Sequence, residues 1–172
     1  EAIEYSDFYI CPSKCTQRDL IEYYNIKEEQ TSVIYWAPFI EKKNTTDLSE
    51  FSTGKPYLLY VGNRHKYKNA KFMMKTISSN SEIMKNYNII FFGGGNFSQH
   101  EKKFFKELNF SDNQIILAHG RDQDLINLYH NASALIYPSL YEGLGLPILE
   151  AMNCNCPVIT SYTSGMIEAG GN

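Results

Sequence analysis

The stretch Ala134-Leu-Ile-Tyr-Pro-Ser-Leu-Tyr-Glu-Gly-Leu-Gly-Leu-Pro-Ile-Leu-Glu-Ala151 carries the clearest structural pattern in the chain. Its first four residues form a short, continuous apolar run, the pattern of a strand buried on both faces. Pro138 and the glycines at 143 and 145 end that run. Proline suits the first turn of a helix, so a helix is expected from Pro147 to about Asn153. Strand, glycine or polar turn, then amphipathic segment is the unit that recurs along the chain.

The other apolar runs fall at residues 57–61, 89–92, 115–118 and 157–160. Between them, Ala70, Met73, Met74 and Ile77 fall at helical spacing, as do Phe104, Phe105 and Leu108, then Leu125, Leu128 and Tyr129. Strands alternating with helices predict an α/β fold, a Rossmann-like parallel sheet with helices on both faces. The first part reads as strand 8–11, helix 16–24 and strand 32–36. Residues 41–56 are polar, rich in Lys, Thr and Ser, and end in Gly-Lys-Pro, a linker composition. The expected division is residues 1–40 as the β-α-β end of one domain, 41–56 as linker, and 57–172 as a second, truncated domain. The chain starts at Glu1 without Met and stops at Asn172 in a glycine-rich stretch, so it is expected to be a piece of something longer.

Composition narrows the function classes. The 172 residues are 43% hydrophobic and 20% charged, ordinary for a globular protein and incompatible with disorder. A net charge of −3 and a pI near 5.8 leave no basic field to grip nucleic acid. No apolar run approaches the ~20 residues of a membrane span. Cys11, Cys15, Cys154 and Cys156 lack metal-ligand spacing and read as free thiols of a reducing compartment. His65, His100, His119 and His130 show no ligand spacing either, so no metal is expected. Only three arginines occur, Arg18, Arg64 and Arg121.

In an open parallel sheet, ligands bind beyond the carboxyl ends of the strands. The residues that follow the apolar runs there are Arg64 and Lys68, the glycines 93 to 95, then His119 and Arg121, and finally residues 142–147. Gly93 to Gly95 do not complete a dinucleotide fingerprint. Asp122 reads as a helix cap. Gly143 and Gly145 admit close backbone approach, and the helix opening near Pro147 turns free N–H groups and a positive dipole end toward the same space, a site suited to phosphate. Arg64 and Lys68 would bring two cations to it. Glu150, in the first turns of that helix, can accept hydrogen bonds from two vicinal hydroxyls, as on a ribose. Glu142 lies ahead of the phosphate site, where a sugar attached to the diphosphate would be. Together these describe a nucleotide-sugar.

Four blocks carry a family resemblance. They are Tyr60-Val-Gly-Asn-Arg-His-Lys-Tyr-Lys-Asn69, Gly93 to Gly95, His119-Gly-Arg-Asp-Gln-Asp-Leu125, and the quoted stretch with its Glu-x7-Glu spacing. In this order and spacing they resemble the C-terminal half of GT-B glycosyltransferases of the retaining group called family 4 or group 1. Residues 1–40 are similar to the last β-α-β of that family's N-terminal domain, with Ser13 at a family serine. The resemblance implies that Arg64 and Lys68 hold the donor diphosphate and that Glu150 binds the ribose. Gly143, Leu144 and Gly145 would supply N–H groups, and Gly94 would belong to the second glycine loop. Arg121 would lie by the nucleobase, and Glu142 would be the catalytic residue that stabilises an oxocarbenium ion. The donor substrate would be a GDP- or UDP-linked sugar, with no further cofactor and no bound metal.

The wording of the first block is similar to bacterial mannosyltransferases, which use GDP-mannose. The implied partners are a glycan or lipid-linked acceptor and the rest of an N-terminal domain, in polysaccharide or glycoconjugate synthesis. The implied location is cytoplasmic, extending to peripheral association with the inner face of a membrane. Asn63 departs from the hydrophobic or small residue usual before the arginine, and the family's acceptor-site residues lie outside this sequence. The fragment alone is expected to bind donor without transferring sugar. Two alternatives remain open: a GT-B-like sugar-nucleotide epimerase or phosphorylase, and a non-catalytic nucleotide-binding module.

Overall fold

A computed structural model describes residues 3–38 and 54–171. In the first segment, β1 (Tyr9–Cys11) and β2 (Thr31–Val33) pair in parallel across α1 (Lys14–Tyr24). The strand expected at 32–36 is thus shifted, and residues 34–36 leave it with Tyr35 and Trp36 half exposed. The expected linker lies mostly outside the described residues. The second segment holds β3 (Tyr57–Val61), α2 (Ala70–Ser78), α3 (Ser81–Asn86), β4 (Asn88–Phe92), α4 (Gln99–Glu107) and β5 (Ile115–Ala118). It continues with α5 (Asp122–Asn131), β6 (Ala134–Tyr137), α6 (Leu146–Asn153), β7 (Val158–Thr160) and α7 (Gly165–Gly170).

The five strands β3 to β7 form one all-parallel sheet in the order β5-β4-β3-β6-β7. Its central strands are apolar on both faces because both faces are covered. Leu59, Val61 and Ile90 meet Ile126, Leu128, Ile148 and Met166 of α5, α6 and α7 on one side. Tyr60, Ile89 and Phe91 meet Met73, Met74, Ile77 and Phe105 of α2 and α4 on the other. Alternation of side chains along each strand thus builds two cores from one sheet. This is the Rossmann-like arrangement with helices on both faces. The sequence pattern did not announce α3 and α7, each only six residues long.

The two segments meet at the first turn of α1. Ser13 accepts a hydrogen bond from the Thr16 N–H at 3.0 Å. Glu168 of α7 accepts from the N–H groups of Lys14 and Cys15, both at 2.8 Å. A carboxylate at a helix N-terminus satisfies orphan donors and complements the dipole. Burial pushes the Glu168 carboxyl up, but these bonds, a third from Tyr35 and the charge of Arg18 outweigh it and hold it below the ordinary range.

Candidate functional site

The sheet reverses its strand order between β3 and β6, and in open α/β sheets ligands bind beyond the carboxyl ends of the strands at such a point. After β3, a 3-10 turn (Lys66–Lys68) ends at Asn69 in the left-handed region, φ 57°. That turn delivers Lys68 to the loop after β6. Lys68 Nζ lies 2.6 Å from Glu142 Oε1 and donates to the Tyr137 hydroxyl at 3.1 Å. Burial draws the Lys68 pKa down, but the bonds to Glu142 and Tyr137 outweigh it, and the net direction is up. Lys68 is therefore a cation throughout the neutral range.

The loop of residues 138–145 is fixed through its backbone. The Leu140 N–H donates to the Tyr67 carbonyl at 2.7 Å. The Glu142 N–H donates to Ser164 Oγ, and the Gly165 N–H donates to the Glu142 carbonyl, both at 3.0 Å. The Gly143 carbonyl accepts from Ser13 Oγ and, at 3.3 Å, from Thr16 Oγ1. The Tyr141 hydroxyl donates to the Asp19 carboxylate at 2.6 Å. Gly165 has to be glycine, because a Cβ there would overlap the Gly143 carbonyl and stand 2.8 Å from Leu144 Cα. No side chain caps α6, which begins at Leu146, one residue before the expected Pro147. The N–H groups of Leu140, Glu142 and Ile148 are already bonded and Pro147 has none, which leaves those of Gly143, Leu144, Gly145 and Leu146 to meet an anion.

Glu150 lies one turn into α6, half-buried, and accepts from the Tyr129 hydroxyl at 2.9 Å. Burial pushes its carboxyl pKa up; the Tyr129 bond opposes this and the nearby Asp122 charge adds to it. Arg121 is exposed at the N-cap of α5. Asp122 is the first helical residue rather than the cap, and Asp124 closes the turn by accepting from the Arg121 N–H at 2.8 Å.

Arg64 does not join Lys68. Its Nε donates to Glu101 at 2.6 Å, and its terminal nitrogens donate to the carbonyls of Gly93, Gly95 and Asn96 at 3.0–3.2 Å. The guanidinium stands 4.8 Å over the Phe97 ring. Glu101 also closes the α4 capping box with Ser98. Burial raises the Glu101 pKa, but the bonds from Arg64 and Ser98 outweigh it and leave it lowered. Gly94 adopts φ 73°, and a Cβ on it would come within 2.7 Å of both Arg64 Nη1 and the Gly62 carbonyl. The second glycine loop is wrapped around Arg64.

The structure thus gathers Lys68, Glu142, Tyr137 and the 143–145 backbone at one point, Glu150 beside Tyr129 along α6, and Arg64 with Gly94 in a neighbouring cluster. Among residues that sequence reasoning missed, Glu101 carried a legible signal, the Ser98-x-x-Glu101 capping spacing. Glu168 and Gly165 carried none, because their partners are distant in sequence. Among the described residues no group of three His, Cys, Asp or Glu side chains is placed to hold a metal, and no helix is long and apolar enough to cross a membrane.

The parallel sheet with its reversed order is a doubly wound α/β arrangement, and its structural likeness to solved glycosyltransferases makes it one half of a GT-B fold. Residues 41–171 match the family described as glycosyl transferases group 1, and the chain belongs to that family. The chain is 32% identical over 140 residues to the O-antigen chain mannosyltransferase RfbU of Salmonella typhimurium strain LT2, an alignment covering 80% of this chain and 37% of that protein. It is 48% identical over 56 residues to the O-antigen chain mannosyltransferase B of Escherichia coli, covering 33% and 15%. The Anabaena protein HepE, solved in complex with UDP-glucose, superposes with a TM-score of 0.77 at 19% identity, over 94% of this chain and 46% of that one. The chain therefore spans less than half the length of these relatives.

Proposed function

We propose that this chain is the donor-binding half of a retaining glycosyltransferase that moves a hexose from a nucleoside-diphosphate sugar to a glycan or lipid-linked acceptor. The observation that carries this reading is the Lys68–Glu142 pair set against the uncapped N-terminus of α6. A diphosphate placed there meets one ammonium, the 143–145 amides and a helix dipole. These groups stabilise the charge on the departing diphosphate as the glycosidic bond breaks. Lys68 would then exchange part of its pairing with Glu142 for phosphate oxygens. That releases the Glu142 carboxylate toward the sugar, where positive charge builds. Glu150 accepts from ribose hydroxyls, and Arg121 borders the base. Arg64 contributes through the glycine loop it holds, beside Gly94; to reach the phosphates itself it would have to leave Glu101. The mannosyltransferase relatives favour mannose as the transferred sugar.

The reading is tested by calorimetric titration of the chain with GDP, UDP and ADP, with GDP-mannose and UDP-glucose, and with the free nucleosides. Diphosphates and their sugars should bind and nucleosides should not. Lys68→Ala should weaken diphosphate binding about 10- to 100-fold, the scale of one charge-assisted hydrogen bond. Equal affinity for nucleoside and nucleoside diphosphate would refute the phosphate site. The longer protein should transfer sugar with retention of anomeric configuration, and this chain alone should not.

A further inference from the structure

We infer that Trp36 is a specificity-determining residue, an aromatic wall against which the pyranose ring of the donor sugar stacks. The inference rests on the donor reading above. Trp36 is the sole tryptophan of the chain. It follows β2, and 54% of its surface is exposed. It does not face open solvent alone. With Pro12 it lines a cavity of about 310 Å³ whose remaining walls include Tyr137, Glu142 and residues 143–147. One wall is therefore a flat apolar ring, and the other is an acceptor carboxylate with a run of backbone amides.

That pairing suits one chemistry. A pyranose has a C–H face, which gains by leaving water against an aromatic ring, and a rim of hydroxyls, which need acceptors and donors. The cavity is near the lower end of ligand pockets, about 300–1,000 Å³, with room for one sugar ring rather than a nucleotide. Glu150, Arg121 and Gly94 are not among its lining residues. An indole can also stack on a nucleobase, but the groups assigned to the nucleoside lie outside this cavity. The start of α6, where the donor reading places the diphosphate, lines the same cavity, as the phosphate-linked carbon of a hexose requires.

Because Trp36 is unique, its fluorescence reports the wall without any substitution. The 172-residue chain is titrated with GDP, UDP, GDP-mannose, UDP-glucose and methyl mannoside, following both calorimetric heat and indole emission. The nucleotide-sugar that binds should shift the emission, whereas its parent diphosphate should bind with little change. Trp36→Ala should weaken that nucleotide-sugar roughly tenfold, the scale of one aromatic stacking contact, and leave the diphosphate unaffected. Trp36→Phe should restore most of the loss. If nucleotide-sugars bind but emission stays fixed and Trp36→Ala binds like the parent chain, the wall is refuted while the donor reading stands. A diphosphate that shifts emission as strongly as its sugar puts the base on Trp36 and overturns the inference. A shift with methyl mannoside and none with nucleotide-sugar assigns the wall to an acceptor sugar and also overturns it. Absence of heat with every nucleotide removes the donor reading, and the inference with it.

Discussion

Without donor, Lys68 and Glu142 are each other's principal partners, and separating them should have a measurable cost. Their atoms are 2.6 Å apart, with side chains 12% and 14% exposed. At an effective dielectric constant near 20, the gross attraction at that distance is about 6 kcal/mol, much of it offset by desolvation. Removing one partner of a fully buried pair costs about 3–5 kcal/mol. This pair sits at the mouth of a crevice, where solvent screening reduces the figure to about 1–3 kcal/mol. Lys68→Met and Glu142→Gln should each destabilise the chain by that amount in urea unfolding at neutral pH. The double variant should lose less than their sum, with a coupling of about 1–2 kcal/mol. Additivity within about 0.5 kcal/mol would show that the pair does not form in solution. The raised Lys68 pKa also sets a direction with pH. Its contribution should be complete below the ordinary lysine value of 10.5 and fade as pH rises through the higher folded value. Lys68→Met should lack that alkaline loss.

The glycine loops offer a paired comparison. Gly94→Ala meets Arg64 and the Gly62 carbonyl, whereas Gly93→Ala meets nothing within 4 Å; both pay the left-handed penalty of about 1–2 kcal/mol, and thermal melts should show Gly94→Ala clearly worse. Gly165→Ala should displace the 143–145 backbone and lower diphosphate affinity at least tenfold, as read by calorimetry, in any fraction that folds. On the acid side, Glu101 and Glu168 are held below the ordinary 4.5, so their stabilisation is present above that pH and lost as pH falls through their folded values. Melting temperature followed from pH 6 downward should fall less steeply in Glu168→Gln than in the parent. Glu150 runs the other way: its carboxyl is held up, so Glu150→Gln should raise the melting temperature at neutral pH while weakening nucleotide binding.

The sheet was legible because its strands are buried on both faces and therefore written as unbroken apolar runs. Strands β3, β5 and β6 fall at the positions read from those runs, and β4 and β7 differ by one residue at one end. Convergence of Lys68 with the Glu142 loop was legible too, since both follow strands on the same sheet edge. The direction of Arg64 was not. An arginine after a strand has the same local pattern whether it turns to a phosphate or to a carboxylate, and Glu101 is 37 residues away. The seating of α1 against Glu168 and Gly143 was equally silent, because contacts across more than 120 residues leave no period in the sequence. The short α3 and α7 carry too few turns for a helical pattern to stand out.

The proposed place of the donor diphosphate is the start of α6 beside Lys68. A crystal structure of the chain grown with GDP or UDP, whichever binds more tightly by calorimetry, tests it most directly. Phosphate oxygens should lie within hydrogen-bond distance of Lys68 Nζ and of the 143–145 amides, with ribose hydroxyls on Glu150. Phosphates bound instead by Arg64 in the Gly93 to Gly95 loop, with Lys68 still paired to Glu142, would contradict it.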